Sequence, residues 1–164
     1  MAKIKSHQKI TPFLWFNRNA EEAVKFYISV FKNGKKGKVS YYGKGTSIPE
    51  GTVMTVMFQI EGQQFLALNG GPDINFTEAI SFVVHCKTQK EIDYYWEKLS
   101  KGGEKVQCGW LKDKFGVSWQ VVPDIISEIM TSKNAEKNTR VMKAIMKMKK
   151  LNIKILKQAY KGDN

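Results

Sequence analysis

A strand and the start of a helix near the N-terminus reappear, in altered form, in the middle of this chain. The repeated parts are an apolar run, a helix-capping residue with Glu three positions later, and an aromatic pair seven positions after the cap. They are 10–16, Asn19 and Phe26-Tyr27 in the first copy, and 80–86, Thr88 and Tyr95-Trp96 in the second. A cap followed by Glu at the third position predicts a capping box, in which two free amides at a helix start are hydrogen-bonded. A duplicated unit of this kind predicts two similar half-sheets around one cavity, where small molecules bind.

The spacing of apolar and turn residues extends both copies into strand–helix–three-strand modules. In the first module we predict strands at 10–16, 38–42, 52–60 and 63–68, with the helix beginning at Asn19 and a tight turn at Glu61-Gly62. In the second module we predict strands at 79–86, 105–111 and 117–122, with the helix from Thr88 to about residue 101. The sequence therefore predicts an α+β fold in which paired βαβββ modules form curved mixed sheets around a cavity.

Residues after the second module differ in kind, because their apolar residues follow a helical spacing. Asp124 is a candidate cap for a short helix with Ile125, Ile126 and Ile129, and two further helical segments follow. Val141, Met142, Ile145 and Met146 form one helical stripe, and the methionines are interpreted as core filler. The predicted organisation is a single domain with modules at 8–72 and 77–123 and a C-terminal helical extension at 124–164.

The net charge of +12 makes nucleic acid a partner to consider, but its distribution favours another interpretation. Many of the basic residues lie in the helical extension, where Glu136 and Asp163 are the acids between residues 133 and 164. A solvated basic face is the simpler explanation, and no zinc-finger spacing or RNA-type aromatic motif supports nucleic-acid binding. Binding to a phosphate backbone stays open as an alternative.

The apolar runs and the cysteines indicate the compartment. The longest apolar runs are too short to cross a bilayer, and residues 1–9 contain no apolar stretch typical of a secretion signal, so we expect no membrane partner. Cys86 and Cys108 have no CxxC spacing, which fits a reduced cytoplasm rather than a disulfide scaffold. We expect a cytoplasmic protein.

Several segments resemble the vicinal-oxygen-chelate superfamily, which includes glyoxalase, bleomycin-resistance proteins and extradiol dioxygenases. Within it the chain is most similar to the PhnB-like branch, often labelled demethylubiquinone methyltransferase-like. The similar segments are ITPFLWF at 10–16, AEEA at 20–23, ALNGGP at 67–72, EIDYYWEKL at 91–99 and GWLKDKFGVSWQ at 109–120, and RVMKA at 140–144 in the extension also fits. The resemblance covers residues 8 to 161 and implies the glyoxalase-like fold, a homodimer and a ligand-binding cavity.

The superfamily metal site is not expected in this chain. In metal-using members, each module supplies one ligand from its first strand and one from its last. Alignment on the helix aromatics puts Pro12 or Thr11, Ala67, Ser81 and Gln120 at these positions, within about one residue. Proline and alanine side chains cannot coordinate a divalent ion, which needs several N or O donors at one point. We expect no metal, and no other cofactor, because no glycine-rich GxGxG motif for S-adenosylmethionine occurs.

Alternation along the strands gives a candidate ligand-binding set, because successive side chains point to opposite sheet faces. In the last strand Ser118 and Gln120 oppose Trp119 and Val121, and we expect the apolar set to meet a helix. In the fourth strand we assign Phe65 and Asn69 to the cavity, and Trp15 falls on the helix side. The predicted cavity lining is Leu14, Phe16, Met54, Phe65, Asn69, Ser81, His85, Ser118 and Gln120.

Two histidines occur, and neither has a partner pattern that defines catalysis. His7 lies in the polar N-terminal stretch, where solvent exposure is the simple expectation. His85 is predicted on the cavity side, either as a hydrogen-bonded strand-end residue or as a polar contact or general base for a ligand. It is the candidate for a catalytic residue, and the catalytic set is otherwise unknown.

Three functions remain open from the sequence. The first is metal-free binding of a small hydrophobic organic molecule. The second is an enzyme of the same fold, a lyase, isomerase or transferase, with His85 or an unforeseen metal. The third is binding of nucleic acid or another acidic partner through the basic extension.

Overall fold

The structure, a computed structural model, describes residues 8–162, so His7 lies outside the described residues. The chain divides into two compact units, Met1–Asn75 and Phe76–Asn164. Each unit contains one strand–helix–three-strand module, and the second also contains the helical extension.

The first unit is a four-stranded mixed sheet with one helix against it. Its elements are β1 (Phe13–Phe16), α1 (Ala20–Val30), β2 (Lys35–Tyr41), β3 (Val53–Ile60) and β4 (Gln63–Asn69). The strand order is β1-β4-β3-β2, with β1 parallel to β4 and the other pairs antiparallel. Tyr27 of α1 stacks on Phe58 of β3 with ring centroids 5.9 Å apart, and Phe58 stacks on Phe65 of β4 at 5.1 Å. The core therefore lies between α1 and one face of the sheet.

The second unit repeats this topology. Its module consists of β5 (Phe82–Cys86), α2 (Gln89–Ser100), β6 (Glu104–Lys105), β7 (Trp110–Lys112) and β8 (Ser118–Pro123), with the order β5-β8-β7-β6 and β5 parallel to β8. The single strand predicted at 105–111 is wrong: β6 and β7 pair with each other as a small hairpin. Cys108 and Gly109 have φ values of 61° and 84°, and this left-handed backbone reverses the chain between the two strands.

The two modules and the helices that follow confirm the predicted fold class. Both modules have the order βαβββ, and three helices come after β8: α3 (Ile125–Met130), α4 (Ala135–Met146) and α5 (Ile153–Lys161). The α+β glyoxalase-like fold with a C-terminal helical extension is thus correct, and most predicted strands and helices agree with the observed ones within a few residues.

The two capping boxes expected from the repeat have different outcomes. Thr88 Oγ1 accepts a hydrogen bond from Glu91 N at 3.2 Å, and the Glu91 carboxylate accepts one from Thr88 N at 3.1 Å, so this box is confirmed. The box predicted at Asn19 is wrong, because its side chain makes no capping hydrogen bond. The Ala20 amide instead donates to Asn69 Oδ1 at 2.8 Å, so a residue from β4 serves the start of α1.

The helical extension has a small hydrophobic core of its own. It consists of Ile129, Val141, Ile145, Leu151 and Leu156, all buried. The interpretation of the methionines as core filler is wrong for Met142 and Met146, which are 41% and 61% exposed. The helical stripe was one residue too wide, because α4 turns only Val141 and Ile145 towards the cluster.

The extension is fastened to the module of its own unit by backbone and side-chain contacts. The backbone amides of Cys108 and Gly109 donate to the carbonyl oxygens of Met148 and Lys149, both at 2.8 Å. Gln89 of α2 donates to Leu151 O at 3.2 Å and accepts from the Ile153 amide at 2.9 Å. These bonds use groups at two helix starts, so the extension and the module fold as one unit.

Candidate functional site

The face of the second sheet opposite α2 is the candidate site, and we call it the polar face. The other face carries Leu111, Trp119 and Val121, which are buried, and α2 contacts β5, β7 and β8. Because side chains alternate along each strand, the remaining residues share the opposite face. The polar face consists of Val83 and His85 of β5, Trp110 and Lys112 of β7, and Ser118, Gln120 and Val122 of β8, with Ser81 just before β5.

Strand register brings the central residues of the polar face together. Gln120 lies opposite Val83 on one side and opposite Trp110 on the other. Its Nε2 atom donates a hydrogen bond of 3.0 Å to Ser81 Oγ. The structure thus brings together Ser81 and Gln120, two of the predicted site residues, with an apolar side chain on each flank.

Ser118 supplies the group on this face that most resembles an unfilled binding position. Its side chain is 2% exposed, and among the described residues its Oγ atom has no hydrogen-bond partner. A buried hydroxyl without a partner costs about 1–3 kcal/mol relative to a satisfied one. Buried unsatisfied groups are uncommon in folded proteins, and a ligand or water that bonds to this hydroxyl would remove the cost.

An ion pair lies beside this serine. Lys112, opposite Ser118 in the β7–β8 register, pairs with Glu78. The hydrogen bond from Lys112 lowers the pKa of the Glu78 carboxyl from its usual value, and the same bond raises the pKa of Lys112. Both groups are therefore charged at neutral pH, and they form a polar boundary at this end of the face.

His85 lies on the polar face but at its edge. Its Nδ1 atom is 3.8 Å from Asp124 Oδ1, and the two side chains are 61% and 44% exposed. That separation is too long for a hydrogen bond, although it is within reach of an ion pair when the imidazole is protonated. The predicted placement on the same side as Ser81 is correct.

The site residues predicted in the first unit lie on the other side of their sheet. Phe65 stacks in the core beneath α1, and Leu14 and Phe16 are buried on the same face. Met54 shares that face by alternation with Val56 and is half-buried. Asn69 bonds to the Ala20 amide at 2.8 Å, to Val53 O at 3.0 Å and to the Glu21 carboxylate. Their placement on the cavity side is therefore wrong: these side chains serve the core and the start of α1.

The opposite face of the first sheet was missed by the sequence reasoning. It carries Phe13, Trp15, Met57, Leu66 and Leu68, and we call it the apolar face. Trp15, expected on the helix side, is half-buried here, and its Nε1 atom donates to Gly71 O at 2.9 Å. The register of β1 against β4, which the sequence does not show, decides this assignment.

Cys86 is on the α2 side and takes no part in the polar face. It is fully buried, and burial raises the pKa of its thiol to about 12. A thiol with so high a pKa is neutral and unreactive at physiological pH.

The residues at the superfamily's metal positions do not fit a divalent ion. Ser81 and Gln120 lie together, but Ala67 is buried on the α1 side, and the side chains flanking it on the apolar face are Leu66 and Leu68. Within residues 8–162, no cluster of three or more His, Cys, Asp or Glu side chains is arranged to hold a metal ion. One amide and one hydroxyl are too few donors for a stable site.

Comparison with known proteins identifies the family. A model of the 3-demethylubiquinone-9 3-methyltransferase family matches residues 8–122. The chain belongs to this family. The match ends at the last strand, so the family model does not cover the helical extension, to which the sequence resemblance had been extended.

Solved structures agree with this assignment. A PhnB protein from Bacillus cereus is 38% identical with a TM-score of 0.64, and the match covers 71% of this chain and 99% of that one. A Staphylococcus aureus protein is 32% identical, with 71% and 97% covered and a TM-score of 0.34. A Pseudomonas aeruginosa protein, 20% identical with a TM-score of 0.59 and coverage of 71% and 98%, shows the fold alone. No curated protein matches the chain.

The family description implies a methyl donor such as S-adenosylmethionine, and the glycine pairs of this chain do not fit one. A Cβ atom at Gly70 would lie 2.1 Å from Trp15 Cε2, and one at Gly103 would lie 2.1 Å from Lys112 O. Both glycines are therefore required by close packing within the protein. Gly102-Gly103 also follows a helix rather than preceding one, so neither pair forms a phosphate- or cofactor-binding turn.

Proposed function

We propose that this protein binds a small, mainly apolar organic molecule on the polar face, without the superfamily metal. The observation that carries the proposal is the buried Ser118 hydroxyl, which has no partner among the described residues and shares its face with the Gln120–Ser81 pair. A few fixed polar groups on an otherwise apolar surface are typical of small-molecule sites.

The chemistry of the face suggests the kind of ligand. Val83, Trp110 and Val122 offer apolar surface, and each square ångström buried contributes about 25 cal/mol. Ser118 offers an O–H donor, and the Gln120 amide, which uses one N–H toward Ser81, has a second N–H and a carbonyl oxygen. An uncharged aromatic molecule with a carbonyl or hydroxyl oxygen matches both features. The family description, which concerns a quinone-derived molecule, is compatible with this class.

Fluorescence titration with prodan, an uncharged naphthalene ketone, tests the proposal. We expect saturable binding with emission that reports an apolar, hydrogen-bonded ketone. Ser118→Ala should weaken binding about tenfold, which corresponds to about 1.4 kcal/mol for the lost hydrogen bond. Ser127→Ala makes the same substitution at an exposed position of α3 and should leave the affinity unchanged.

A stability measurement shows whether Ser118 acts through the ligand or through the fold. Because its hydroxyl makes no hydrogen bond among the described residues, Ser118→Ala should not lower the free energy of unfolding in the absence of ligand. Absence of saturable prodan binding, or equal affinity of wild type and Ser118→Ala, would contradict the proposal.

A second candidate function is catalysis on the same face, and the position of His85 favours it. An imidazole on the polar face, 3.8 Å from the Asp124 carboxylate, is placed to act as a general base toward a bound ligand. His85→Ala should then abolish turnover of a ligand followed by mass spectrometry while leaving its dissociation constant unchanged. Turnover that persists in this variant would remove His85 from any mechanism.

We also propose a cytoplasmic homodimer. The family resemblance supports the dimer, and two free cysteines support a reducing compartment. Light scattering coupled to size exclusion tests the first point, since a monomer mass at micromolar concentration would overturn it.

A further inference from the structure

The helical extension carries a basic surface that the ligand proposal does not use. Three open grooves of about 520, 520 and 590 Å³ adjoin one another around α4 and α5. Lys143 and Lys147 line the first two grooves, and Gln158 lines the second and third. We call this region the tail surface; its exposed residues are Met142, Lys143, Met146, Lys147, Lys154, Ile155, Lys157 and Lys161.

The lysines of the tail surface lack counter-ions within the described part of the chain. None of the five has an ion pair there, whereas neighbouring basic groups do: Lys150 pairs with Asp93 at 2.8 Å, and Arg140 pairs with Glu136 at 2.8 Å. α5 contains no acidic residue, and Glu136 is the one acid in α4. The surface is therefore strongly positive and complementary to an anionic partner.

Apolar side chains are exposed between these lysines. Met142, Met146 and Ile155 are 41%, 61% and 44% exposed, and Met142 and Met146 line the first groove with Lys143 and Lys147. A purely solvated basic face gains nothing from exposed methionine and isoleucine. Lysines alternating with exposed apolar side chains are typical of helices that lie in the headgroup region of a membrane.

We propose that the tail surface binds the surface of a bilayer containing anionic phospholipids. The lysine ammonium groups engage headgroup phosphates, and the side chains of Met142, Met146 and Ile155 enter the boundary with the acyl chains. This is peripheral binding: within residues 8–162, no helix is long and apolar enough to cross a membrane. The earlier expectation of no membrane partner concerned spanning segments and does not address the surface.

Two features favour a membrane over other anionic partners. The lysines extend across three adjoining grooves, an area that a bilayer covers and that a single bound peptide would not fill. A nucleic-acid backbone would leave the exposed apolar side chains in water. The single arginine of α4 is also withdrawn from recognition, because its guanidinium donates to Ala159 O and Tyr160 O at 3.0 and 3.2 Å.

Sedimentation with lipid vesicles tests the proposal on the full chain. We expect binding to vesicles of phosphatidylcholine with phosphatidylglycerol, no binding to phosphatidylcholine alone, and weaker binding as salt rises, because screening reduces the attraction. Lys143→Gln with Lys147→Gln should weaken binding at least about tenfold, since each lysine near an anionic surface contributes substantially. Lys25→Gln with Lys38→Gln removes the same charge from exposed positions of the first unit and should retain the affinity.

A second pair of substitutions tests the apolar part. Met142→Ser with Met146→Ser keeps every charge and should weaken vesicle binding several-fold. These residues are exposed, so circular dichroism should be unchanged. Failure to sediment with anionic vesicles at low salt, or equal losses in the tail and control pairs, would overturn the proposal. Tighter binding to a DNA duplex, unaffected by the methionine substitutions, would also overturn it and assign the surface to nucleic acid.

Discussion

The two modules share a topology and differ in how each completes it. Both have a helix after the first strand and a sheet whose first and last strands are parallel neighbours. α1 begins with an amide bonded to Asn69, a residue some fifty positions later, and α2 begins with a local capping box at Thr88. The same fold is thus stabilised by a long-range contact in one copy and by a local one in the other.

The final hairpins show a second difference. β3 and β4 are joined by Glu61-Gly62, whose positive φ values of 45° and 82° suit a tight two-residue turn. β7 and β8 are joined by a longer loop organised around Asp113, which is 3% exposed. Its carboxylate accepts hydrogen bonds from Phe115 N, Val117 N and Trp119 Nε1. One hairpin therefore depends on backbone conformation, and the other depends on a buried charge.

The free faces of the two sheets differ in chemistry. In the first sheet the face opposite α1 is apolar, with Trp15 and Leu66 among its residues. In the second, Ser118 and Gln120 make it polar. Duplication supplied the framework, and divergence of one face supplied groups that can recognise a ligand.

Removing the buried carboxylate should produce the largest effect. Asp113→Ala leaves two backbone amides and the Trp119 indole N–H without their acceptor, so we expect the free energy of unfolding to fall by about 3 kcal/mol. Asp113→Asn retains one acceptor oxygen and should cost less. Urea denaturation measures both, and a loss below about 1 kcal/mol for the alanine variant would show that this hairpin does not depend on the carboxylate.

The long-range helix start comes next. Asn69→Ala removes the acceptor of the Ala20 amide and a donor to Val53 O, both in the interior, and should cost about 2 kcal/mol. Asn19→Ala is the matched control, because Asn19 occupies the cap position without making a cap bond and should cost close to nothing. The reverse ranking of these two variants in thermal or urea unfolding would restore the local cap at α1.

The local cap of α2 should matter less. Thr88→Ala removes one exposed hydrogen bond to Glu91 N and should cost about 1 kcal/mol, the usual value for an N-cap. Thr88→Ser preserves the acceptor and should restore most of the stability. If Thr88→Ala cost as much as Asn69→Ala, the contrast between local and long-range starts would fail.

The smallest effect concerns the ion pair that joins the extension to α2. Hydrogen bonds from Lys150 and Gln89 lower the pKa of Asp93 from its usual 3.8. A carboxylate with a lowered folded-state pKa stabilises the protein above its unfolded-state pKa, and this contribution is lost as the pH falls from about 3.8 through the folded value. Both side chains are more than a third exposed, so less than about 1 kcal/mol is expected. Comparing acid unfolding of wild type and Asp93→Asn should show the difference disappearing at low pH, and a difference that persists there would have another origin.

The contrast between modules also shows what the sequence could predict. Strand alternation placed Ser118 and Gln120 correctly, because Trp119 and Val121 between them are clearly apolar. It misplaced Phe65 because both faces of β4 are apolar, so alternation gave no contrast, and Asn69 was taken for a cavity residue when it serves a helix start. The repeat contained a usable signal: aligning Phe16 with Cys86 transfers the unambiguous faces of the second module to the first. The unpartnered Ser118 hydroxyl is a property of packing, and no sequence pattern indicates it.

A two-dimensional amide spectrum of the protein, recorded with and without prodan, tests the central claim most directly. We predict shifts that concentrate on Ser81, Ser118 and the side-chain amide of Gln120, with little change at Leu14, Phe16 and Phe65 beneath α1. Shifts confined to the helical extension, or centred on the residues beneath α1, would contradict the claim that the polar face binds the ligand.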